Sequence, residues 1–221
     1  MTAIPSLTTA IQPPPGSDVQ LHLPDHSGTN PPVFNDAMIV RVRVFVDEQK
    51  VPADAEIDAD DARSWHWVIS DKTPTATVPV AVIRLVPPPQ PPHALLTHPQ
   101  ATAASDIPEY DWSHEPCVKI TRVAVLPEYR GLGLGRQLME TVLKWASEHA
   151  ADIDEAVARQ AVRSNWTGPR ARWNGLVLVH AQVDVEEMYT RLGFQTDDSL
   201  GRWDEEGIEH VGMFRRVAVL R

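Results

Sequence analysis

Residues 123–145, VAVLPEYRGLGLGRQLMETVLKW, constrain the fold more than any other part of the chain. An alternating apolar stretch runs into three glycines in five positions, Gly131, Gly133 and Gly135, and emerges in a helical pattern. Leu138, Met139, Val142, Leu143 and Ala146 make one apolar stripe at helical spacing, with no Pro or Gly among them. A strand, a glycine turn and a helix in that order leave several backbone N–H groups unpaired at the helix start. The helix dipole adds partial positive charge there. Such a nest takes phosphate or diphosphate, because glycine lets the anion approach and supplies positive φ. Arg130 and Arg136 bracket the turn and add charge.

Two common phosphate loops do not fit. Arg136 stands where the dinucleotide fingerprint needs its third glycine, and no Gly-Lys-Ser/Thr follows. What remains is Arg130-x-x-Gly133-x-Gly135. A tight strand-to-helix turn with no ligand is the alternative; the strand before it and the arginines beside it weigh against that.

Strand patterns also occur at residues 65–70, 78–86, 118–126, 176–181 and 211–220, which are short and β-branched or aromatic. The clearest helix covers 135–149. A second is expected at 184–192, with Asp184 as cap, Glu187 completing a capping box and Gly193 as the left-handed stop. In residues 34–46, FNDAMIVRVRVFV, valines alternate with Arg41 and Arg43. The pattern alone favours a strand, although Met38, Val42, Phe45 and Val46 also fit a helical stripe. Residues 1–32 are rich in Pro, Ser and Thr and read as an arm carrying a first strand near 19–23. Residues 87–116, opening PPPQPP, and residues 153–174 read as insertions, the second as a helix end plus a loop. Neither is flanked by two self-sufficient cores, so one domain with excursions is expected over 33–221.

A formal charge of −10 argues against a nucleic-acid partner. Cys117 is the one cysteine, and it opens an apolar run, so it reads as core rather than nucleophile. No intrachain disulfide is possible, which suits a reducing compartment. The first residues lack a basic and apolar leader, and no apolar run reaches about 18 residues, so a cytoplasmic protein without a membrane span is expected.

RVAVLPEYRGLGLGRQLM resembles the acyl-CoA-binding motif of the GNAT acetyltransferase superfamily. VEEMYTRLGF, residues 185–194, is similar to that superfamily's later helix, with its tyrosine and closing Gly-Phe. VRVFVDEQKVPADAEIDADD and WDEEGIEHVGM resemble its ElaA-like branch. The likeness spans roughly residues 34–215, interrupted by the two insertions. It implies an α/β fold with a central mixed, mostly antiparallel sheet splayed at strands four and five and helices on both faces, and it makes residues 34–46 helix. It implies that Val123, Ala124 and Val125 pair their backbone with pantetheine amides and polarise the thioester carbonyl. Backbone groups of Arg130, Gly131, Leu132, Gly133, Leu134, Gly135 and Arg136 would hold the diphosphate.

Acyl transfer to an amine requires a deprotonated amine, a stabilised oxyanion and an acid for the leaving thiolate. None of these needs a metal. Tyr189 matches the superfamily's usual acid, and a phenol with a pKa near ~10 stays protonated at neutral pH. Glu48 is a candidate base and, with Gln49, forms an EQ pair that lines the acceptor side in the resembled branch; a solvated helix end is the alternative. His180, ending LVLVHAQ, has a side chain suited to proton relay, or else serves the structure. Glu56, Asp58, Asp61 and His66 form a cluster read as acceptor binding or loop structure, and His210 is a weaker acceptor candidate. Seven acids lie between Asp47 and Asp61, which could rim an acceptor mouth and steer a cationic amine, or form a solvated face. Arg159, Arg163, Arg170 and Arg172 form a basic counterpatch. The resulting expectation is an acetyl-CoA-dependent N-acetyltransferase acting on a primary amine by direct attack, as monomer or homodimer. An amino-sugar-phosphate acetyltransferase and a non-catalytic acyl-CoA sensor are the alternatives.

Overall fold

The β-branched runs form strands and the striped runs form helices. A computed structural model of the chain describes residues 5–24, 29–97 and 108–221. Among these the strands are β1 (Leu7–Gln12), β2 (Trp65–Lys72), β3 (Thr77–Val86), β4 (Val118–Val125), β5 (Leu176–Gln182), β6 (Gln195–Thr196), β7 (Arg202–Glu205) and β8 (Ile208–Arg216). The helices are α1 (Pro32–Arg41), α2 (Ala94–Thr97), α3 (Leu134–Glu148), α4 (Ala150–Arg163) and α5 (Glu186–Arg191). None is long and apolar enough to cross a membrane. The chain divides into two compact units, Met1–Val86 with Thr121–Val142, and Pro87–Ile120 with Leu143–Arg221. The architecture is the α/β one expected, with a mixed, mostly antiparallel sheet.

In the first unit the strand order is β1-β2-β3-β4. β2 pairs antiparallel with both β1 and β3. Residues 65–70 of β2 and 79–86 of β3 are all buried, so these strands are covered on both faces, which explains their continuous rather than alternating apolar pattern. α1 packs on β2 and β3. Its Ala37 and Val40 join Val44, Val68, Val82, Ala124 and Leu126 in one apolar cluster. Residues 34–46 are therefore helical, against the alternation of their valines. The buried positions Phe34, Ala37, Met38, Val40, Arg41 and Val44 follow a helical spacing. Pro32 opens the helix, where its missing N–H costs nothing, and burial overrides β-propensity. Past Arg41 the helix widens into a π turn over Val42–Glu48, and Gln49 N–H donates to the Val44 carbonyl five residues back (3.0 Å).

The first strand is Leu7–Gln12, not residues 19–23. Asn30 explains the second point: its side chain accepts from His22 N–H (2.9 Å) and donates to His22 C=O (2.7 Å). Backbone groups satisfied by a side chain are not available to a ladder.

In the second unit β5 pairs antiparallel with β8, from Leu176↔Arg216 to Gln182↔His210, and β8 also carries β6 and β7. β4 enters this unit through a short parallel ladder of Val118↔Val177, Lys119↔Leu178 and Ile120↔Val179. α4 follows α3 after His149, whose ring stacks on Trp145 at 4.4 Å. Ile153, Ala156, Val157 and Ala161 form its buried stripe. Trp173 is fully buried, with its backbone N–H on Asp154 (2.9 Å) and its indole N–H on the Leu176 carbonyl (2.8 Å).

α5 begins two residues later than the sequence suggests. Asp184 lies in a preceding 3₁₀ turn, no side chain caps the helix, and Glu187 instead pairs with Arg191 four residues on (2.5 Å). The stop is as expected. Gly193 has φ +82°, its N–H donates to Thr190 C=O (2.9 Å), and Phe194 N–H reaches Tyr189 C=O (3.1 Å). This is the Schellman arrangement, available to glycine without strain.

Candidate active site

The glycine turn lies in the first unit. Gly131 and Gly133 have φ of +81° and +78°, and a Cβ on either would meet no protein atom within 4 Å. Gly133 C=O accepts the first helical bond, from Gln137 N–H (3.0 Å), so Gly133 caps α3. No backbone N–H from residue 131 to 136 donates to a carbonyl among the described residues. The turn is thus a row of free donors at a helix start with open space before it, the surroundings a diphosphate requires. Leu134 anchors it, 2% exposed, while Leu132 is 54% exposed. Behind it, Ala124 is buried, Val123 and Val125 are partly buried, and Leu126 N–H returns to Val80 C=O (2.9 Å).

Glu48 and Arg130 meet. Arg130 donates to both carboxylate oxygens, at 2.8 and 2.6 Å, and its Nε donates to Val125 C=O (3.1 Å). These hydrogen bonds hold the Glu48 carboxyl below its usual range, which weakens it as a base. Gln49 closes the π turn through its N–H. Arg136 is engaged with Glu140 (2.7 Å) on the exposed face of α3.

The cluster read as acceptor binding or loop structure is largely buried. Glu56 is 1% exposed and Asp61 and His66 are fully buried. Arg41 Nε donates to Glu56 (2.6 Å) and Nη1 to Asp61 (2.7 Å). Arg84 donates to Asp58 (2.6 and 2.9 Å) and to Asp61 (2.9 Å). Burial alone would raise the Asp61 carboxyl, but Arg41 and Arg84 overcome it and hold it well below the usual carboxylate range. Burial pushes His66 down to about 3, so it is neutral; its Nε2 lies 3.2 Å from the Asp61 carbonyl. Glu56 and His66 therefore have no surface to offer an acceptor, and only Asp58 keeps part of its carboxylate exposed. The acid run is only in part a solvated face: Asp47, Glu48 and Asp54 are exposed. Glu48, Glu56, Asp58, Asp60 and Asp61 are all paired with arginines.

In the second unit Tyr189 sits on α5, 6% exposed, with Phe194 edge-on at 5.8 Å. Its hydroxyl makes no hydrogen bond among the described residues, and burial pushes it up to about 12. It is a protonated donor at any physiological pH. His180 Nδ1 lies 3.0 Å from Glu205 Oε1, and the same oxygen accepts from Trp203 Nε1 (2.7 Å). Burial pushes His180 down to about 4, against the pull of Glu205, so the ring is neutral at pH 7. His210 is buried, with Nδ1 2.8 Å from the Ile208 carbonyl, and its ring is near-parallel to Trp203 at 6.5 Å. Cys117 is half-buried, and burial pushes its thiol up to about 12, which disfavours a nucleophilic thiolate. Cys117 lines a cavity of about 520 Å³ with Trp112, Leu178 and Phe214, where Arg170 of the basic patch also sits.

Sequence reasoning passed over Arg41, Arg84, Arg122, Trp203 and Glu205. The acid run was itself a signal for the arginines, since carboxylates in apolar flanks demand counter-charge. Glu205 lies within the WDEEGIEHVGM segment, but nothing in the chain shows which of its acids meets His180.

The acetyltransferase (GNAT) family model matches residues 37–165, more than half of the chain. The structure is similar to that of ElaA from Escherichia coli, with a TM-score of 0.53, 22% identity and coverage of 96% of this chain and 100% of that one. It is also similar to an acyl-CoA N-acyltransferase from Pseudomonas aeruginosa (TM-score 0.51, 24% identity, 95% and 99% covered). A third similar structure is FeeM, an N-acyl amino acid synthase from uncultured soil microbes (TM-score 0.53, 11% identity, 97% and 92% covered). At these identities the structural likeness is one of fold. Together with the free amides of the glycine turn, the family match establishes that the chain belongs to the GNAT family of acetyltransferases and is an acyltransferase.

Proposed function

We propose that the protein moves an acetyl group from acetyl-CoA to a primary amine, of a small molecule or of a lysine or N-terminus, by direct attack in a ternary complex. The observation that supports this most is the unpaired amide row at residues 131–136, opened by two left-handed glycines. These amides bind the diphosphate, and the backbone of Val123, Ala124 and Val125 aligns the pantetheine and polarises the thioester carbonyl. The amine nitrogen attacks the carbonyl carbon, and the C–S bond breaks. Tyr189 supplies a proton to the departing thiolate; its hydroxyl, unbonded among the described residues on a largely buried side chain, suits a donor. His180 accepts the amine proton, directly or through water, its ring oriented by Glu205. Glu48 is a second candidate for that role, its carboxyl held below its usual range by Arg130; the pairing also folds Arg130 onto the Val125 carbonyl. The likeness to ElaA supports that branch of the family.

The test combines calorimetry with acetyl-CoA and a thiol-release screen over amines, including polyamines, amino sugars, an amino-sugar phosphate and lysine peptides. Binding plus release with one amine class supports the reading and names the acceptor. Binding without release with any amine marks a sensor. No binding at millimolar coenzyme overturns the reading.

A further inference from the structure

Arg122 lies inside β4 but has φ +53°, a left-handed conformation that a side chain makes costly. Such a conformation persists only where its surroundings over-determine it. Here they are the charge network of the first unit. Arg122 Nε donates to Glu56 Oε1 (3.1 Å), and Nη2 donates to Asp58 Oδ2 (3.1 Å) and to the Glu56 carbonyl (3.4 Å). Its guanidinium lies 5.9 Å from the centre of the Phe45 ring. The preceding residue is held as well: Thr121 Oγ1 accepts from Arg84 Nε (2.8 Å). Glu56 and Asp58 are themselves fixed by Arg41 and Arg84, which share Asp61.

Two consecutive residues of β4 are thus fastened, through their side chains, to β3 and the loop at 56–61, and that loop is fastened to α1 through Arg41. Three arginines face three carboxylates, so the charges balance and the assembly is a frame rather than a proton source. A left-handed residue breaks the alternation of a strand and re-aims the peptide groups that follow it. Those are the groups of Val123, Ala124 and Val125.

We infer that Arg122 is a positioning residue for acyl transfer: the buried arginine–carboxylate frame holds it left-handed and thereby aims the amides of residues 123–125. The inference rests on the proposed function, in which those amides meet the acyl-CoA. Arg122→Gly, Arg122→Ala and Thr121→Val are compared with the wild type for acetyl-CoA Kd, kcat, amine KM and thermal midpoint. Glycine accepts positive φ freely and keeps the kink accessible, whereas alanine loses both the anchor and the ease of the turn. Arg122→Ala lowers kcat/KM for acetyl-CoA by about 10- to 100-fold, the scale of a small misplacement of reacting groups. Arg122→Gly recovers part of that loss, and the amine KM stays near its original value. Thr121→Val, which keeps the strand's shape, shifts kcat/KM in the same direction by a smaller factor and reports even if Arg122→Ala does not fold. Equal values for the glycine and alanine variants, or lower thermal midpoints with unchanged kcat/KM, overturn the inference and leave the proposed function standing. A wild type that neither binds acetyl-CoA nor releases thiol overturns both.

Discussion

Gly133→Ala separates the conformational use of glycine from its use in binding. At φ +78° an alanine costs about 1–2 kcal/mol, because Cβ crowds the neighbouring carbonyl. That strain is present with and without ligand, so it lowers folding stability but cancels in the dissociation constant. In a chain of this size it lowers the thermal midpoint by roughly 2–8 °C. Beyond its chain neighbours the added Cβ meets no protein atom within 4 Å, so it disturbs no tertiary packing in the free protein. It would stand instead in the space before the amide row. Loss of one amide–phosphate bond costs about 1.5–3 kcal/mol, which is roughly a 10- to 150-fold weaker Kd. Calorimetry with acetyl-CoA and thermal melts without ligand measure the two effects separately. Gly201→Ala is the control, since Gly201 also has positive φ (+67°) and open surroundings but lies outside the turn. It should lose stability and keep its Kd. If the folded Gly133→Ala protein binds acetyl-CoA within about twofold of the wild type, where an order of magnitude is expected, the amide row is not the diphosphate site.

Tyr189→Phe should lower kcat by about 10²-fold with little change in thermal midpoint, because the hydroxyl makes no hydrogen bond among the described residues; an unchanged kcat removes Tyr189 as the acid. Glu205 raises the His180 pKa against burial, so Glu205→Gln should move the acid limb of the kcat/KM profile to lower pH, and a limb that stays in place excludes His180 as the titrating base. Asp61→Asn leaves Arg41 and Arg84 buried without their shared partner, an expected cost of about 3–5 kcal/mol by urea denaturation; a loss below about 1 kcal/mol would mean that the frame is not tightly coupled. Asp58 and Asp61 have depressed pKa values in the fold, so their stabilisation is complete above about pH 4 and is lost as pH falls through the folded values. His66 is also depressed, to about 3, so the unfolded chain binds its proton first and stability should already decline as pH falls below about 6.5. Urea midpoints across pH 3–8 would show both phases, and a flat profile between pH 4 and 6.5 would contradict the buried neutral histidine.

The glycine turn, α3 and the Gly193 stop were legible because each is a local arrangement written in adjacent residues. Three glycines before an apolar stripe dictate a strand-to-helix turn wherever the chain folds. Residues 34–46 were misleading on pattern alone because valine alternation is a local signal, whereas their helix is set by what Ala37, Val40 and Val44 pack against. The strand placed at residues 19–23 failed for a similar reason, since Asn30 takes the backbone of His22. For Glu56 and His66 the chain left acceptor binding and loop structure both open, because nothing in adjacent residues shows which acids are buried. Their burial depends on Arg41, 15 residues from one, and on Arg84 and Arg122, 26 and 66 residues from Asp58 and Glu56.

The chain by itself therefore determined the glycine turn and the helix behind it, and, through the family resemblance these residues carry, Tyr189 as a candidate acid and the kind of fold. The turn and its helix follow from backbone conformation and helical spacing, which act over a few residues. Only the tertiary structure decided which charges cancel: that Glu48 grips Arg130, that Glu205 holds His180, and that the frame around Asp61 reaches Arg122. Ion pairs and burial depend on distances in space, and separation along the chain carries almost no information about them.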